Sequence, residues 1–299
     1  MTTKMTYYPG CSSEASGAHL DKSLQSIART LGIELEPIED WNCCGASVNH
    51  IKGGHAPTTA MSARNLAQAK AQGNQDVVTP CAACFLNTHY ANEAMREDKQ
   101  VYEEMNEALG AAGRSYDASL NVRHICEVLI NDVGLDKIRE SVKKPLKGLK
   151  VAGWVGCQTV RPHAATERGG NFDEYDNPRF LDDFIEAAGA EAVDFKARTN
   201  CCGGSVAVMS PDKTIHLMRD ILQEAQERGV DCIATPCPLC QTNLEMYQGA
   251  INDKYGTHFD IPVVFYSQLL AVAFGGDPDG DAALNQNIIK APKIAQVAK

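Results

Sequence analysis

Short apolar runs alternate along this chain with longer stretches that have an apolar residue at every third or fourth position. Met5 to Tyr8 is the first such run and predicts a strand. Apolar residues from Leu20 to Leu31 then recur at helical spacing, and Gly32 is placed to end that helix. The same alternation predicts strands at 33–38, 77–78, 149–155, 192–195, 232–234 and 261–265, and helices at 58–72, 87–111, 177–189, 212–228 and 266–274.

Strands that alternate with helices predict an α/β fold, and here the pattern occurs twice. We expect two pseudo-symmetric α/β halves from an internal duplication, at residues 1–145 and 146–275. The basic hexamer Lys143 to Gly148 is the predicted linker between them. The patterning after Gly275 is weak, so residues 276–299 are predicted to be a partly disordered C-terminal tail.

Cysteines carry the most specific part of the repeat. Each half has a lone Gly-Cys, then Asn-Cys-Cys-Gly, then Thr-Pro-Cys-x-x-Cys-x-x-Asn. The offset between paired cysteines rises from 146 to 158 residues, which indicates an insertion before Cys201, assigned to Arg168 to Asn177. Cys126 and Cys232 have no cysteine counterpart in the other half, so they are predicted to be structural thiols.

Charge and composition narrow the classes of function. The formal net charge is −10 and the pI is about 5.3, which argues against nucleic acid as a partner. Neither a secretory signal nor a run long enough to be a transmembrane segment is visible in the sequence. We therefore expect a cytoplasmic protein, in which thiols stay reduced and clustered cysteines indicate metal or redox chemistry rather than disulfides.

Thiolates are soft, anionic ligands that suit iron–sulfur clusters and zinc. The two cysteines of a Cys-x-x-Cys can reach one metal centre, whereas an adjacent Cys-Cys pair fits poorly around a single tetrahedral zinc. Five cysteines also exceed the four that zinc or a cubane cluster needs. The residues therefore favour an iron–sulfur site over zinc, and zinc over disulfides.

This arrangement resembles the CCG-domain family over residues 5–275, and within it the B subunit of heterodisulfide reductase. Tyr8-Pro9-Gly10-Cys11 and Pro236 to Asn243 carry the resemblance most closely. The resemblance implies that each set of five cysteines holds a noncubane [4Fe-4S] cluster. One implied ligand set is Cys11, Cys43, Cys44, Cys81 and Cys84, and the other is Cys157, Cys201, Cys202, Cys237 and Cys240.

The resemblance also implies the chemistry, in which two clusters face each other and a disulfide is cleaved or formed between them. The implied partners are the other members of such a complex, a ferredoxin-like C subunit and a flavin-containing A subunit. In methanogens the family's substrate is the coenzyme M–coenzyme B disulfide. In the heterodisulfide reductase-like complexes of sulfur oxidisers it is sulfur on a lipoate-carrier protein.

Four polar residues are candidates for roles beside the clusters. Arg161 could grip an anionic tail of the substrate, and His163 could deliver a proton to a leaving thiolate. The alternative is that Arg161 begins a helix and His163 caps it. Asn87 and Asn243 would either hydrogen-bond the cluster sulfurs or cap the turn after each Cys-x-x-Cys.

Two other functions stay open. One is an electron-transfer module without disulfide chemistry, as in the CCG subunits of lactate- or fumarate-linked oxidoreductases. The other is an interaction protein that zinc stabilises. The metal content would distinguish the zinc-stabilised protein from the iron–sulfur alternatives.

Overall fold

The computed structural model describes residues 3–47, 55–73, 75–160 and 173–297, which contain two four-stranded sheets. The first sheet has the order β2-β1-β3-β4 and comprises β1 (Thr3–Tyr7), β2 (Ile33–Pro37), β3 (Asp76–Thr79) and β4 (Asn121–His124). The second has the order β6-β5-β7-β8 and comprises β5 (Lys150–Gly153), β6 (Glu191–Val193), β7 (Cys232–Thr235) and β8 (Val263–Phe265). All neighbouring strands are parallel. The identical order confirms an α/β fold with two duplicated halves.

Helices connect the strands in both halves. Those of the first half are α1 (Ala18–Leu31), α2 (Ala56–Ala71), α3 (Ala82–Glu97), α4 (Lys99–Gly110), α5 (Ile125–Val128) and α6 (Leu135–Ser141), with a 3₁₀ turn at Cys11–Glu14 and a π turn at Leu129–Val133. Those that follow are α7 (Phe180–Ala187), α8 (Val206–Met209), α9 (Pro211–Glu227), α10 (Pro238–Met246), α11 (Gln248–Tyr255), α12 (Tyr266–Ala273) and α13 (Pro292–Val297), with 3₁₀ turns at Lys196–Thr199 and Leu284–Gln286. In the ranges that the structure describes, we find no helix with the length and apolar character needed to span a bilayer.

Two predicted helices differ from those in the structure, and at each difference an Asp carboxylate accepts hydrogen bonds from backbone N–H groups. The predicted helix at 87–111 is instead α3, which already begins at Ala82, followed by α4. The break falls at Asp98, whose carboxylate accepts hydrogen bonds from the backbone N–H groups of the first turn of α4. Similarly, α7 begins at Phe180 rather than Pro178, where the Asp173 carboxylate accepts hydrogen bonds from the backbone N–H groups of Arg179 and Phe180. Residues 168–172 of the predicted insertion lie outside the described residues.

One continuous apolar core joins the two halves. Helix α1 of the first half packs against α12 of the second, and the buried hydroxyls of Ser23 and Ser267 are 2.7 Å apart between them. The predicted linker is anchored at both ends, since Lys143 N donates to Ala273 O and Leu146 N donates to Ala188 O, each at 2.9 Å. The boundary at residue 145 stays a prediction, because the core does not stop there.

The C-terminal segment 276–297 is ordered against the second half, so the prediction of partial disorder is wrong for it. Leu284 and Ile294 are buried. The Asn287 amide donates to Val263 O of β8 at 2.9 Å, and the Gln268 amide donates to Ala282 O at 2.9 Å. The apolar residues that anchor the segment are too sparse to produce a helical or strand-like period.

Candidate iron–sulfur site

The predicted cysteines lie at the carboxyl ends of three adjacent parallel strands in each half. In the first half β1 leads to Cys11, β2 leads to the Cys43-Cys44 pair and β3 leads to Cys81. The second half repeats this with β5, β6 and β7. Loops at the carboxyl edge of a parallel sheet converge, so residues far apart in sequence meet there.

Each Cys-x-x-Cys motif forms the start of a helix. Cys81 and Cys237 have extended backbone and occupy the N-cap positions of α3 and α10. Cys84 and Cys240 follow at the third helical position. The free backbone N–H groups of a helix start favour negative charge, and together with neighbouring thiols they lower the pKa of Cys237. Neighbouring thiols and burial instead raise the pKa values of Cys81, Cys84 and Cys240.

The glycine before each lone cysteine is required by the close approach of a sulfur. Gly10 and Gly156 have φ of 76° and 74°, values that residues with a side chain rarely adopt. A Cβ on Gly10 would lie 2.7 Å from Cys84 Sγ, and one on Gly156 would lie 3.2 Å from Cys240 Sγ. These glycines bring the lone cysteine loop against the Cys-x-x-Cys helix in each half.

The Cys-Cys-Gly turns place both sulfurs on one side. Gly45 and Gly203 have φ of 86° and 90°. Their backbone N–H groups donate to the sulfurs of Cys43 and Cys201, at 3.4 and 3.3 Å. A side chain at Gly45 would also collide with Thr58 of α2, and one at Gly203 with Thr214 of α9. The adjacent cysteines, which diverge on extended backbone, therefore face one cavity.

Within each set the thiols lie in contact. The Sγ atoms of Cys11 and Cys43 are 3.8 Å apart, and those of Cys202 and Cys240 are 3.6 Å apart. The contact within the first pair lowers the pKa of Cys43 below its usual value and raises the pKa of Cys11 above it. Since the thiolate is the form that binds metal, this packing already favours loss of protons from part of the set.

Each set of five cysteines lines its own cavity. The first cavity has a volume of about 190 Å³ and the second about 350 Å³. The two cavities share four lining residues, Ala46, Ala83, Ser205 and Leu239. Ala83 and Leu239 are equivalent positions of the two Cys-x-x-Cys motifs. The structure therefore brings each predicted set together and places the two sets on either side of a thin shared wall.

The cavities are mostly apolar, and the polar side chains of their lining, apart from the cysteines, are Ser12, Ser47, Asn87, Gln158 and Ser205. Among the described residues that line them, none carries a charged side chain. Their mouth is bordered by α8, on which Val206, Val208 and Met209 are 45%, 62% and 63% exposed. The Cys-x-x-Cys sulfurs of both sets are buried whereas Cys11 is exposed, so each cavity is shielded from water on its inner side, which strengthens electrostatic interactions there.

Asn87 and Asn243 contact the Cys-Cys turns in both halves. The Asn87 amide nitrogen lies 3.6 Å from Cys44 Sγ, and that of Asn243 lies 3.4 Å from Cys202 Sγ. Both amides also donate to the carbonyl oxygens of the same cysteines, at 3.4 Å. The contact to sulfur is thus present, and neither asparagine caps its own helix, since the N-caps are Cys81 and Cys237.

The other predicted residues separate into two groups. Cys126 and Cys232 lie buried in the apolar core, outside both cavities, as expected for structural thiols. Arg161 and His163 lie outside the described residues, so their roles stay predictions. Gln158, shortly before them, lines the second cavity.

A pair of aromatic residues that the sequence argument missed supports both sites. The hydroxyl of Tyr8 donates to Asn42 O at 2.7 Å, and the indole N–H of Trp154 donates to Asn200 O at 3.1 Å. Each therefore ties the strand before the lone cysteine to the residue before the Cys-Cys pair. An aromatic residue three positions before each lone cysteine was the available signal.

The donor set fits a multi-iron cluster better than one metal ion. Each cavity presents five thiols, one more than a tetrahedral zinc binds. Across residues 3–47, 55–73, 75–160 and 173–297, no three His, Cys, Asp or Glu side chains converge as the ligands of a single ion would. Sulfurs spread around an apolar cavity suit the irons of a cluster.

Comparison with known proteins identifies the same repeat. The cysteine-rich domain family CCG matches residues 5–88 and 151–245. The chain is 34% identical over 98% of its length to the 8-methylmenaquinol:fumarate reductase membrane anchor subunit of Wolinella succinogenes, and the match covers all of that protein. It is 31% identical over 96% of its length to the B subunit of the ferredoxin/F420H2-dependent CoB-CoM heterodisulfide reductase of Methanosarcina acetivorans, covering 94% of that relative.

A solved structure shares the fold. A hypothetical protein from Helicobacter pylori superimposes with a TM-score of 0.70 over 96% of this chain, at 16% sequence identity. The match spans 52% of that protein's length. At this identity the likeness supports the fold and nothing about activity.

Proposed function

Because this chain belongs to the cysteine-rich CCG family and is a relative of the B subunit of heterodisulfide reductases, we propose that it is the iron–sulfur catalytic subunit of a heterodisulfide reductase-type complex. The observation that carries the proposal is the shared wall between two cavities that each contain five thiols. A disulfide placed across Ala83 and Leu239 would have one sulfur toward each cavity.

Two [4Fe-4S] clusters of noncubane type are the proposed cofactors, held by the ten cysteines as the two sets described above. When bound, such clusters supply electrons and irons that bind sulfur, so that a disulfide, two electrons and two protons give two thiols. The reverse reaction forms the disulfide. Separate one-electron deliveries from two sites require no cysteine nucleophile.

The protein's own residues would orient and shield this reaction. The Asn87 and Asn243 amides and the glycine N–H groups donate toward sulfurs, and such contacts stabilise negative charge on a cluster. The apolar lining excludes water from the nascent thiolates. In the proposal, Arg161 binds an anionic tail of the substrate and His163 supplies a proton.

The relatives' names support a place in a multi-subunit complex. These relatives are described as the B or the D subunit of heterodisulfide reductases. We propose that this chain receives or delivers electrons through other members of a complex, a ferredoxin-like C subunit and a flavin-containing A subunit, at a cytoplasmic location. The substrate is either a small disulfide or sulfur on a lipoate-carrier protein.

A second candidate rests on the Wolinella succinogenes relative, which belongs to a fumarate reductase and matches over its whole length. In that alternative the chain transfers electrons in a quinol- or fumarate-linked oxidoreductase, without disulfide chemistry. The two candidates differ in whether both cavities are needed at the same time.

The deciding experiment disables one site at a time and measures reduction of a small disulfide with a reduced viologen as donor. Cys44→Ser and Cys202→Ser should each abolish the activity, since one cluster cannot hold both product sulfurs. Cys126→Ser and Cys232→Ser are the matched controls and should retain it. An iron-loaded wild type without disulfide activity, or a single-site variant that keeps it, would favour the electron-transfer alternative.

A further inference from the structure

Three carboxylates are buried in the described part of the chain, and one of them has no cationic partner. Glu127 pairs with Arg123 at 2.9 Å, and Asp182 pairs with Arg198 at 2.7 Å. Glu245 is 2% exposed and makes no ion pair. An unpaired buried carboxylate is costly, so this one calls for an explanation.

The surroundings of Glu245 stabilise its ionised form. Val263 N donates to one carboxylate oxygen at 3.0 Å, while the Gln241 amide and Ile288 N donate to the other at 2.8 Å. A protonated carboxyl group would need an acceptor, and these three partners present donors. Burial raises the pKa of Glu245 above its usual value, while the backbone donors and the Asn287 side chain oppose that rise. The hydrogen bonding thus retains a negative charge inside the second half.

The repeat shows that this charge is not balanced by one in the first half. Glu245 lies five residues after Cys240, and the residue five positions after Cys84 is His89. His89 is buried, and burial lowers its pKa to about 4, so it is neutral at pH 7. The helices that carry the two Cys-x-x-Cys motifs therefore differ by one buried charge.

We propose that Glu245 makes the two cysteine sites electrostatically unequal, so that a cluster in the second half has the lower reduction potential and the first-half site is reduced first. Five residues of helix correspond to about 7.5 Å along the axis of α10, and Glu245 faces a different side of the helix from Cys240. Both residues are buried, so the carboxylate acts on the site as a longer-range charge that water screens little. A nearby anion opposes the added electron. The inference rests on the proposed clusters and goes beyond the proposed function by assigning an order to the two reductions.

The test is a redox titration of the complete, iron-loaded protein, followed by electron paramagnetic resonance. Cys44→Ser and Cys202→Ser proteins assign the two signals, because each retains the cluster of the other half. The first-half signal should titrate at the higher potential. Equal potentials, or the reverse order in the wild type, would overturn the inference without any Glu245 variant.

Two substitutions separate charge from structure. Glu245→Gln keeps the shape of the side chain and removes its charge. It should raise the reduction potential of the second-half cluster by about 59 mV, which for one electron corresponds to a roughly tenfold change in the ratio of reduced to oxidised cluster. Glu245→Asp keeps the charge but disturbs the same hydrogen bonds, and should leave the potential near the wild-type value. The first-half potential is the internal control and should move little in either variant.

Failure of this inference is distinguishable from failure of the proposed function. A wild type without iron–sulfur signals contradicts the proposed function. Two signals whose potentials do not respond to Glu245→Gln, or respond equally to Glu245→Asp, contradict only the role of the charge. Both variants are expected to lower thermal stability, and a purely structural role would show that effect with no selective shift in potential.

Discussion

The thiols of Cys81 and Cys237 are close enough to interact across the boundary between the two halves, although they belong to different sets of five. This contact raises the pKa of Cys81 and contributes to lowering that of Cys237. Each cysteine is the N-cap of its helix, so the starts of α3 and α10 meet where the sites adjoin. Two groups held by these cysteines would be close enough to act on one small substrate.

The first prediction concerns metal content. Ten thiols in two equivalent sets should bind about eight irons with matching sulfide, on the basis of two four-iron clusters. Protein purified without oxygen should therefore show broad visible charge-transfer absorption, with iron and sulfide in equal amounts by chemical assay. Protein that contains zinc alone would contradict the cluster assignment.

The second prediction tests the ligand cysteines, with Cys126 and Cys232, which have no counterpart in the other half, as controls. Cys44→Ser or Cys202→Ser should lose or convert one cluster and roughly halve the iron content, because each removes a thiol from one cavity. Cys126→Ser and Cys232→Ser should leave iron content nearly unchanged, since both residues lie in the apolar core. Equal loss of iron from Cys126→Ser would show that the repeat assigns the ligands wrongly.

The third prediction compares glycines that share a positive φ and have different neighbours, with ψ of 158° at Gly10 and 29° at Gly32. Gly10→Ala should deplete the first cluster, because its Cβ would lie 2.7 Å from Cys84 Sγ, and Gly156→Ala should affect the second less, at 3.2 Å from Cys240 Sγ. Gly32→Ala is the control, with φ of 79° and no heavy atom within 4 Å of the added Cβ. It should cost roughly 1–2 kcal/mol of unfolding free energy and no iron. Iron analysis and thermal unfolding of the three variants test this.

The fourth prediction concerns Arg161. If its guanidinium grips a charged tail of the substrate, Arg161→Ala should weaken substrate affinity by roughly 1.5–3 kcal/mol, as expected for a charge-assisted hydrogen bond. Steady-state kinetics should then show a higher KM with iron content unchanged. Normal kinetics would remove Arg161 from the site, and loss of iron would assign it a structural role.

The fifth prediction concerns acid stability and His19. This imidazole is buried against Phe265, with ring centroids 4.7 Å apart, and burial lowers its pKa to about 4. The folded state therefore binds fewer protons than the unfolded state between pH 6.5 and 4, and stability falls as the pH falls through that range. At pH 5 His19 should account for about 2 kcal/mol of lost unfolding free energy. Chemical denaturation at pH 7.5 and pH 5 should show a smaller loss for His19→Gln, and an equal loss would contradict the assignment.

The sequence alone predicted the fold class and the grouping of the ten cysteines. Both depend on local features of the sequence that occur twice: the spacing of apolar residues, the glycines at helix ends and turns, and the order of the cysteine motifs. Gly32 ends α1 as predicted because a left-handed residue there needs no tertiary partner. The five cysteines of each half meet because parallel strands place their following loops on one edge.

The features that the sequence did not predict depend on partners distant in the chain. Asp98 interrupts a stretch whose sequence pattern predicts one continuous helix. Its role as the N-cap of α4 is apparent only in the structure. Residues 276–297 are ordered by amide contacts from Gln268 and Asn287, which no periodicity reveals. From the sequence Glu245 is expected on the surface of an amphipathic helix. In the structure the backbone N–H groups of Ile288 and Val263 donate to its carboxylate and it is buried.

The packing of α1 against α12 has a consequence for how such a protein could have arisen. A chain with only one five-cysteine half would expose to water the apolar surface that the two halves bury between them. Pairing with a second copy of the same chain would bury that surface. Joining the two copies in one polypeptide fixes their ratio at one to one and makes assembly independent of concentration. It also frees each copy to mutate alone, so that His89 and Glu245 can differ at equivalent positions, which identical chains could never do.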